Sequence, residues 1–238
     1  HKAVADYYHQ RKGSKFQNLH YVYSNFGGLV YRYENVFVLD DDVIIDPLSI
    51  NRLYSIRDQY NLWVLQPAFR PAGKISHPIT LAHPFTLMRY TNFVEMTCPL
   101  FNQKKLASFM QIYTPELVGY GIDWWFIHSL GSDLERRVAI VDRYSCTNPH
   151  REGDREIDLL QKRNDRIKGW EEIKKKCNLE NIEYPHITYG SEYLSVSHKN
   201  AVHSLNAIRE ILRFRIKKNA RKRYYALKKL CGNNKQSS

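Results

Sequence analysis

Apolar residues recur at steps of three or four through Phe16, Leu19, Tyr23 and Phe26, which predicts a helix leading into a strand at Val36. The Gly27-Gly28 pair either ends that helix or bends it. Val36 to Leu39 form a short apolar run that meets Asp40, Asp41 and Asp42 without a break. Pro47 then opens a second helix with Asp46 as its cap, an apolar stripe of Ile50, Leu53 and Tyr54, and an end near Asn61. Leu62 to Leu65 reads as a short buried strand cut off by Gln66-Pro67. Ala68 to Pro84 is an irregular connection of the length that compact domains often reserve for function. Phe93 to Cys98 predicts another strand, with Glu95 embedded among apolar neighbours. Leu106, Phe109, Met110 and Tyr113 mark a helix, and Ile122 to Leu130 form an aromatic-rich helix stopped by Gly131. Val138 to Asp142 is a further strand. From Asp154 onward, Ile157, Leu160, Ile167, Trp170, Ile173 and Cys177 suit one long amphipathic helix.

Strands alternating with helices predict an α/β layered domain with a mostly parallel central sheet flanked by helices, plus C-terminal helices. The expected division is a main α/β domain over residues 1–190 and a basic amphipathic helix and tail over 191–238, with Gly232 to Ser238 disordered. In such sheets ligands gather at the carboxyl ends of strands, which is where Asp40 and Asp42 fall. At 238 residues and 43% hydrophobic, the chain can bury a sizeable core. No apolar run reaches the roughly 20 residues that cross a bilayer, and His1 to Asp6 lacks the apolar centre of a signal peptide. The chain does not begin with Met, so an anchor or targeting segment ahead of it stays open. The placement favoured is cytoplasmic and peripheral to a membrane, and a Golgi lumen stays open with a removed anchor. Cys98, Cys146, Cys177 and Cys231 show no zinc-type spacing and are expected as reduced thiols, Cys98 as a small core residue.

A strand ending in three carboxylates requires neutralisation. Along an extended chain Asp40 and Asp42 point to one side and Asp41 to the other, leaving paired hard oxygen ligands suited to Mg²⁺ or Mn²⁺ and, through it, a nucleotide diphosphate. The plainer alternative is an Asp-rich turn, since short acidic motifs match often by chance.

Three ordered blocks carry a resemblance. Leu39-Asp40-Asp41-Asp42, Val94-Glu95-Met96-Thr97-Cys98-Pro99-Leu100-Phe101 and Gly119-Tyr120-Gly121-Ile122-Asp123 are similar to the W-D-E-D, V-E-M-x-x-P-V-F and G-W-G-L-D blocks of the domain-of-unknown-function family numbered seven hundred and seven. With the strand Val138 to Asp142 they resemble nucleotide-sugar glycosyltransferases of the GT-A type. Leu65-Gln66-Pro67-Ala68 and His77-Pro78-Ile79-Thr80 also look like that family, and the similarity spans about Lys15 to Gly153. The resemblance implies an inverting transferase, hexosyl or related, that moves a sugar from a nucleotide-sugar donor to a glycan or lipid-linked acceptor in polysaccharide or glycoconjugate synthesis. Asp40 and Asp42 would form the D-x-D that holds Mn²⁺ or Mg²⁺ against the donor diphosphate, stabilising the departing group. Asp123 would be the general base, against the alternative of a plain helix cap and against the pKa-lowering effect of a helix N-terminus. His150 would be a third metal ligand or phosphate contact, or else a surface residue. His77, Glu95 and Asp41 would touch donor or acceptor, and Gly121 with Gly119 would let the backbone approach the sugar. Tyr120, Trp124 and Trp125 would stack on a sugar face, with a core role as the alternative. GT-A domains open with a strand that binds the nucleotide base, and none is predicted before Val36, so the catalytic domain is expected to be incomplete at its N-terminus.

The net charge of +12 is concentrated at the far end, where ten Lys and Arg lie between Arg209 and Lys229 against Glu210 alone. Val202, Leu205, Ile208, Leu212, Ile216 and Leu227 keep a helical period among them. Such a helix suits an anionic membrane surface that presents lipid-linked acceptors, or it is a solvated face on a packing helix. With Tyr224 and Tyr225 the same cations suit nucleic acid. A nucleic-acid-binding protein and a metal-dependent phosphoesterase are therefore the alternatives to the transferase.

Overall fold

A computed structural model describes residues 5–150, 156–179, 181–195 and 197–233, excluding the side chains of residues 156, 198 and 221–233. The elements are α1 (Lys15–Val30), β1 (Asn35–Phe37), α2 (Pro47–Gln59), β2 (Val64–Phe69), β3 (Thr86–Thr91), β4 (Leu100–Asn102), α3 (Gln103–Ile112), α4 (Ile122–Ser129), β5 (Val138–Cys146), α5 (Glu156–Leu160), α6 (Arg163–Lys176), β6 (Thr188–Tyr193) and α7 (His198–Asn233). A capping box starts α1: Ser14 N–H donates to Gln17 Oε1 at 2.8 Å, and Gln17 N–H donates to Ser14 Oγ at 3.5 Å. The backbone leaves helical geometry at Phe26, so the Gly27-Gly28 region bends α1 without ending it. At α2, Asp46 Oδ2 accepts from Ser49 N–H at 2.9 Å with Pro47 following as the first helical residue.

The six strands form one mixed sheet in the order β1-β4-β2-β5-β3-β6. Only β2 and β5 pair in parallel; the other four pairings are antiparallel. The expected mostly parallel sheet is thus corrected, and the reason lies in two strands the periodicity does not reveal. β3 follows the long connection after β2, and β6 lies in a polar segment, Thr188 to Tyr193; each pairs antiparallel, so neither requires a crossover helix. Phe93 to Cys98, expected as a strand, is a loop between β3 and β4. Its apolar side chains are buried all the same. Nor does Gln66-Pro67 end β2, which continues to Phe69 with every residue buried. The single long helix expected after Asp154 is two helices, α5 and α6, and Asp154 itself lies outside the described residues. The expected boundary at residue 190 falls inside β6, which is hydrogen-bonded to β3. The tail expected to be disordered lies outside the described residues apart from the end of α7.

Alternation along the strands fills two core layers. Val64, Phe101, Val138 and Ile140 face α1, α3, α4 and α6 through Phe16, Phe109, Phe126 and Trp170. Leu65, Leu100, Ala139 and Val141 face α2 through Leu53 and Ile56. Both faces are covered, which explains why the central strands read as unbroken apolar runs. On α7, Ser204 is buried and accepts from Phe85 N–H at 3.3 Å, whereas Val202, Leu205, Leu212 and Ile216 are exposed along one side. No helix among the described residues is long and apolar enough to cross a membrane.

The pairing sets direction. β1, β2, β5 and β6 run one way and β4 and β3 the other, so the segments after β1, β2 and β5 and those before β3 and β4 meet at one sheet edge. A buried ion pair fixes the connection that arrives there. Arg89 Nη2 and Nε donate to the Asp142 carboxylate at 2.9 and 3.0 Å, while Nη1 and Nη2 donate to Ile79 O and Leu81 O. Asp142 also accepts from Thr86 Oγ1 at 2.7 Å and His83 N–H at 2.9 Å. With every group answered, the pair holds the 77–83 connection against β3 and β5. Arg89→Leu strands the buried Asp142 charge and is expected to cost about 3–5 kcal/mol in urea unfolding; a loss below about 1 kcal/mol would contradict this role.

Candidate active site

At the shared edge the chain after β1 runs beside the 93–99 loop. Val38 N–H donates to Pro99 O at 3.0 Å and Asp40 N–H to Thr97 O at 3.1 Å, extending the β1–β4 ladder. The ladder stops at Asp40, because Val43 N–H turns back to Asp40 O at 3.3 Å. The acidic segment is therefore a turn, and the strand alternation expected to put Asp40 and Asp42 on one side does not apply. Asp41 is exposed at its tip, and Asp42 is partly buried.

Lys15, the first residue of α1, reaches this turn. Its Nζ lies 2.8 Å from Asp40 Oδ1 and donates to Met96 O and Thr97 O at 2.5 and 2.7 Å. The Mn²⁺ or Mg²⁺ expected at Asp40, Asp42 and His150 does not fit at Asp40 Oδ1, which is bonded to the Lys15 ammonium. His150 is exposed beyond the end of β5, and no group of three His, Cys, Asp or Glu side chains among the described residues converges closely enough to hold a metal ion.

Two further carboxylates stand behind Asp40. Glu95 is buried in the loop, its backbone N–H donating to Gln66 Oε1, and its Oε1 accepts from Thr97 Oγ1 at 2.9 Å. Its Oε2 is buried with no hydrogen-bond partner. Burial pushes the Glu95 carboxyl above the usual range and Asp40 adds to the rise; Thr97, Lys74 and Ser76 pull against it. Asp123, in the first turn of α4, accepts from Met96 N–H through Oδ1. Burial first, and the neighbouring Glu95 second, push its carboxyl up to about 7, against the backbone N–H groups of Met96 and Asp123 and the charge of Lys15. The helix N-terminus does not win here, because desolvation beside a second carboxylate outweighs it.

Next to the acids lies an aromatic platform. The buried Phe93 ring has His186, His77 and Trp124 at centroid distances of 4.3, 4.6 and 4.8 Å, and Trp124 stacks on His186 at 5.2 Å. Asn92 holds the His186 segment in place, donating to Pro185 O at 2.9 Å and accepting from Ile187 N–H at 2.8 Å. Burial and the proximity of His186 push His77 down to about 4, and burial lowers His186, whose Nε2 has no partner. Both imidazoles are thus neutral near pH 7 and present rings rather than charge.

The structure brings Asp40, Glu95, His77, Asp123 and Trp124 to one edge. Trp125, by contrast, is buried in the core against Phe109 and Trp170. Tyr120 is exposed on the loop before α4. Gly121 has φ +87°, and a Cβ there would stand 2.2 Å from the Trp170 indole; Gly119, at φ +77°, faces Ile157 at 2.5 Å. The space these glycines leave is filled by α5 and α6. Sequence reasoning missed Lys15, Lys74 and His186, whose separations along the chain give no local signal, and met Gln66 only as part of a resembling block. Two cavities of about 170 and 210 Å³ lie elsewhere, one between Arg70, His83 and His203 and one beside Tyr90 and Arg136. Neither is lined by Asp40, Glu95 or Asp123, and shifted acids beside neutral aromatic groups mark chemistry more directly than volume does. No family model and no curated protein matches the chain.

A carboxyl whose folded value lies above its unfolded value costs stability as pH rises from 3.8 through about 7, and the full cost is present above that. Asp123→Asn removes this titration and keeps an oxygen for Met96 N–H. Relative to wild type, the variant is expected to gain about 2 kcal/mol on going from about pH 5 to about pH 8, read by urea unfolding; a pH-independent difference would contradict the raised value.

Proposed function

We propose that this chain transfers a sugar, with Asp123 as the general base on an acceptor hydroxyl. The observation that carries the reading is the Asp123 carboxyl, poised at about 7 beside Glu95 and one residue from the Trp124 edge of the platform. A base with that value accepts a proton at neutral pH and still drives its transfer. In the step proposed, Asp123 takes the hydroxyl proton, the acceptor oxygen bonds to the donor's anomeric carbon, and the bond from that carbon to the diphosphate breaks. The nucleoside diphosphate leaves with the electron pair. The platform of Trp124, His186 and His77 offers flat, uncharged faces to a sugar ring. The three sequence blocks resembling nucleotide-sugar transferases support the donor class, since two of them supply Glu95 and Asp123.

The test incubates the chain with a panel of nucleotide sugars and acceptor glycans and measures nucleoside diphosphate release. Turnover with at least one donor is expected, with kcat/KM rising as pH passes about 7. Asp123→Asn is expected to lower it by about 100-fold or more. Absence of release with every donor, or full activity in Asp123→Asn, would contradict the reading.

A further inference from the structure

Lys15 has a role that neither its place in the sequence nor the acidic motif announces. The α1 capping box fixes the start of the helix, and from there the side chain reaches the carbonyls of the 93–99 loop. An ammonium has three N–H bonds, and here three oxygens receive them: Met96 O at 2.5 Å, Thr97 O at 2.7 Å and Asp40 Oδ1 at 2.8 Å. One carboxylate and two carbonyl oxygens converging on a point are the hard donors that a small cation takes. The Lys15 side chain is only 21% exposed, and its charge is felt at both Asp123 and Cys98.

We propose that Lys15 is the resident cation of this acidic edge, its ammonium filling the place that the D-x-D resemblance gives to Mn²⁺ or Mg²⁺. Asp40 then holds no metal, and the positive charge beside the leaving diphosphate is a covalent part of the chain. That Asp40 faces the donor rests on the transferase reading; that Lys15 fills the oxygen cradle does not. A divalent ion entering this three-oxygen cradle would have to expel an ammonium bonded on three sides and leave it partly buried, a cost that offsets its own ligation. Lys15 acts through Asp40 and the loop carbonyls and is a positioning residue in this sense.

The test titrates the full chain with MnCl₂ and follows the free-ion signal by electron paramagnetic resonance. Wild type is expected to leave that signal undiminished. Lys15→Met and Lys15→Gln, the second keeping a donor for the carbonyls, empty the cradle of charge and are expected to take up Mn²⁺ in a stoichiometric amount, an uptake lost when Asp40→Asn is added. Uptake by wild type that Asp40→Asn abolishes would overturn the proposal, as would failure of both folded Lys15 variants to take up the ion. The readout uses no sugar or nucleotide, so it is decided separately from whether transfer is observed.

Discussion

Asp40, Glu95 and Asp123 share one edge of the sheet, and negative charge withdrawn from water must be met by a cation or discharged by a proton. Both solutions are present. Asp40 is met by the Lys15 ammonium at 2.8 Å. Glu95 and Asp123 lie deeper, where burial raises both and the Glu95 charge adds to the rise at Asp123, which settles at about 7. Because the Glu95 charge acts on Asp123, a perturbation at Glu95 is felt at Asp123.

The scaffold supports this division of charge through backbone contacts. Asp123 is tied to Met96 N–H, Glu95 N–H to Gln66 Oε1 within β2, and Lys15 to the carbonyls of Met96 and Thr97. The 93–99 loop is thus the common partner of α1, β2 and α4. On its other side the Asn92 bonds carry the 185–187 segment and its His186 ring to the same loop. The Arg89–Asp142 pair performs the equivalent task for the connection bearing His77. A loop held from four directions can keep a shifted carboxyl dry, which a mobile one cannot.

Much of the scaffold was legible because its signals are local. The Asp46-Pro47 start of α2 and the aromatic helix α4 follow from caps and period, whereas Gly27-Gly28 left an end and a bend of α1 equally open until the structure showed the bend. β3 and β6 were hidden because one follows an irregular connection and the other is polar, its stability coming from pairing with β3. Phe93 to Cys98 shows the converse: apolar side chains can be buried in a loop when Gln66 and Asp123 satisfy the backbone that a ladder would have served. At the site, the motif blocks located Glu95 and Asp123, but nothing in them signalled Lys15, which approaches from about eighty residues away in sequence. The strand alternation expected to pair Asp40 with Asp42 does not apply, since the chain turns at Asp40 where alternation requires it to stay extended.

The most direct measurement is a pH titration of the Asp123 carboxyl carbon by nuclear magnetic resonance, assigned by comparison with Asp123→Asn. A midpoint near 7, with a second inflection transmitted from Glu95, is the predicted result. A midpoint close to the ordinary 3.8 would mean that this carboxyl is neither desolvated nor coupled to Glu95, and would contradict the account of the site.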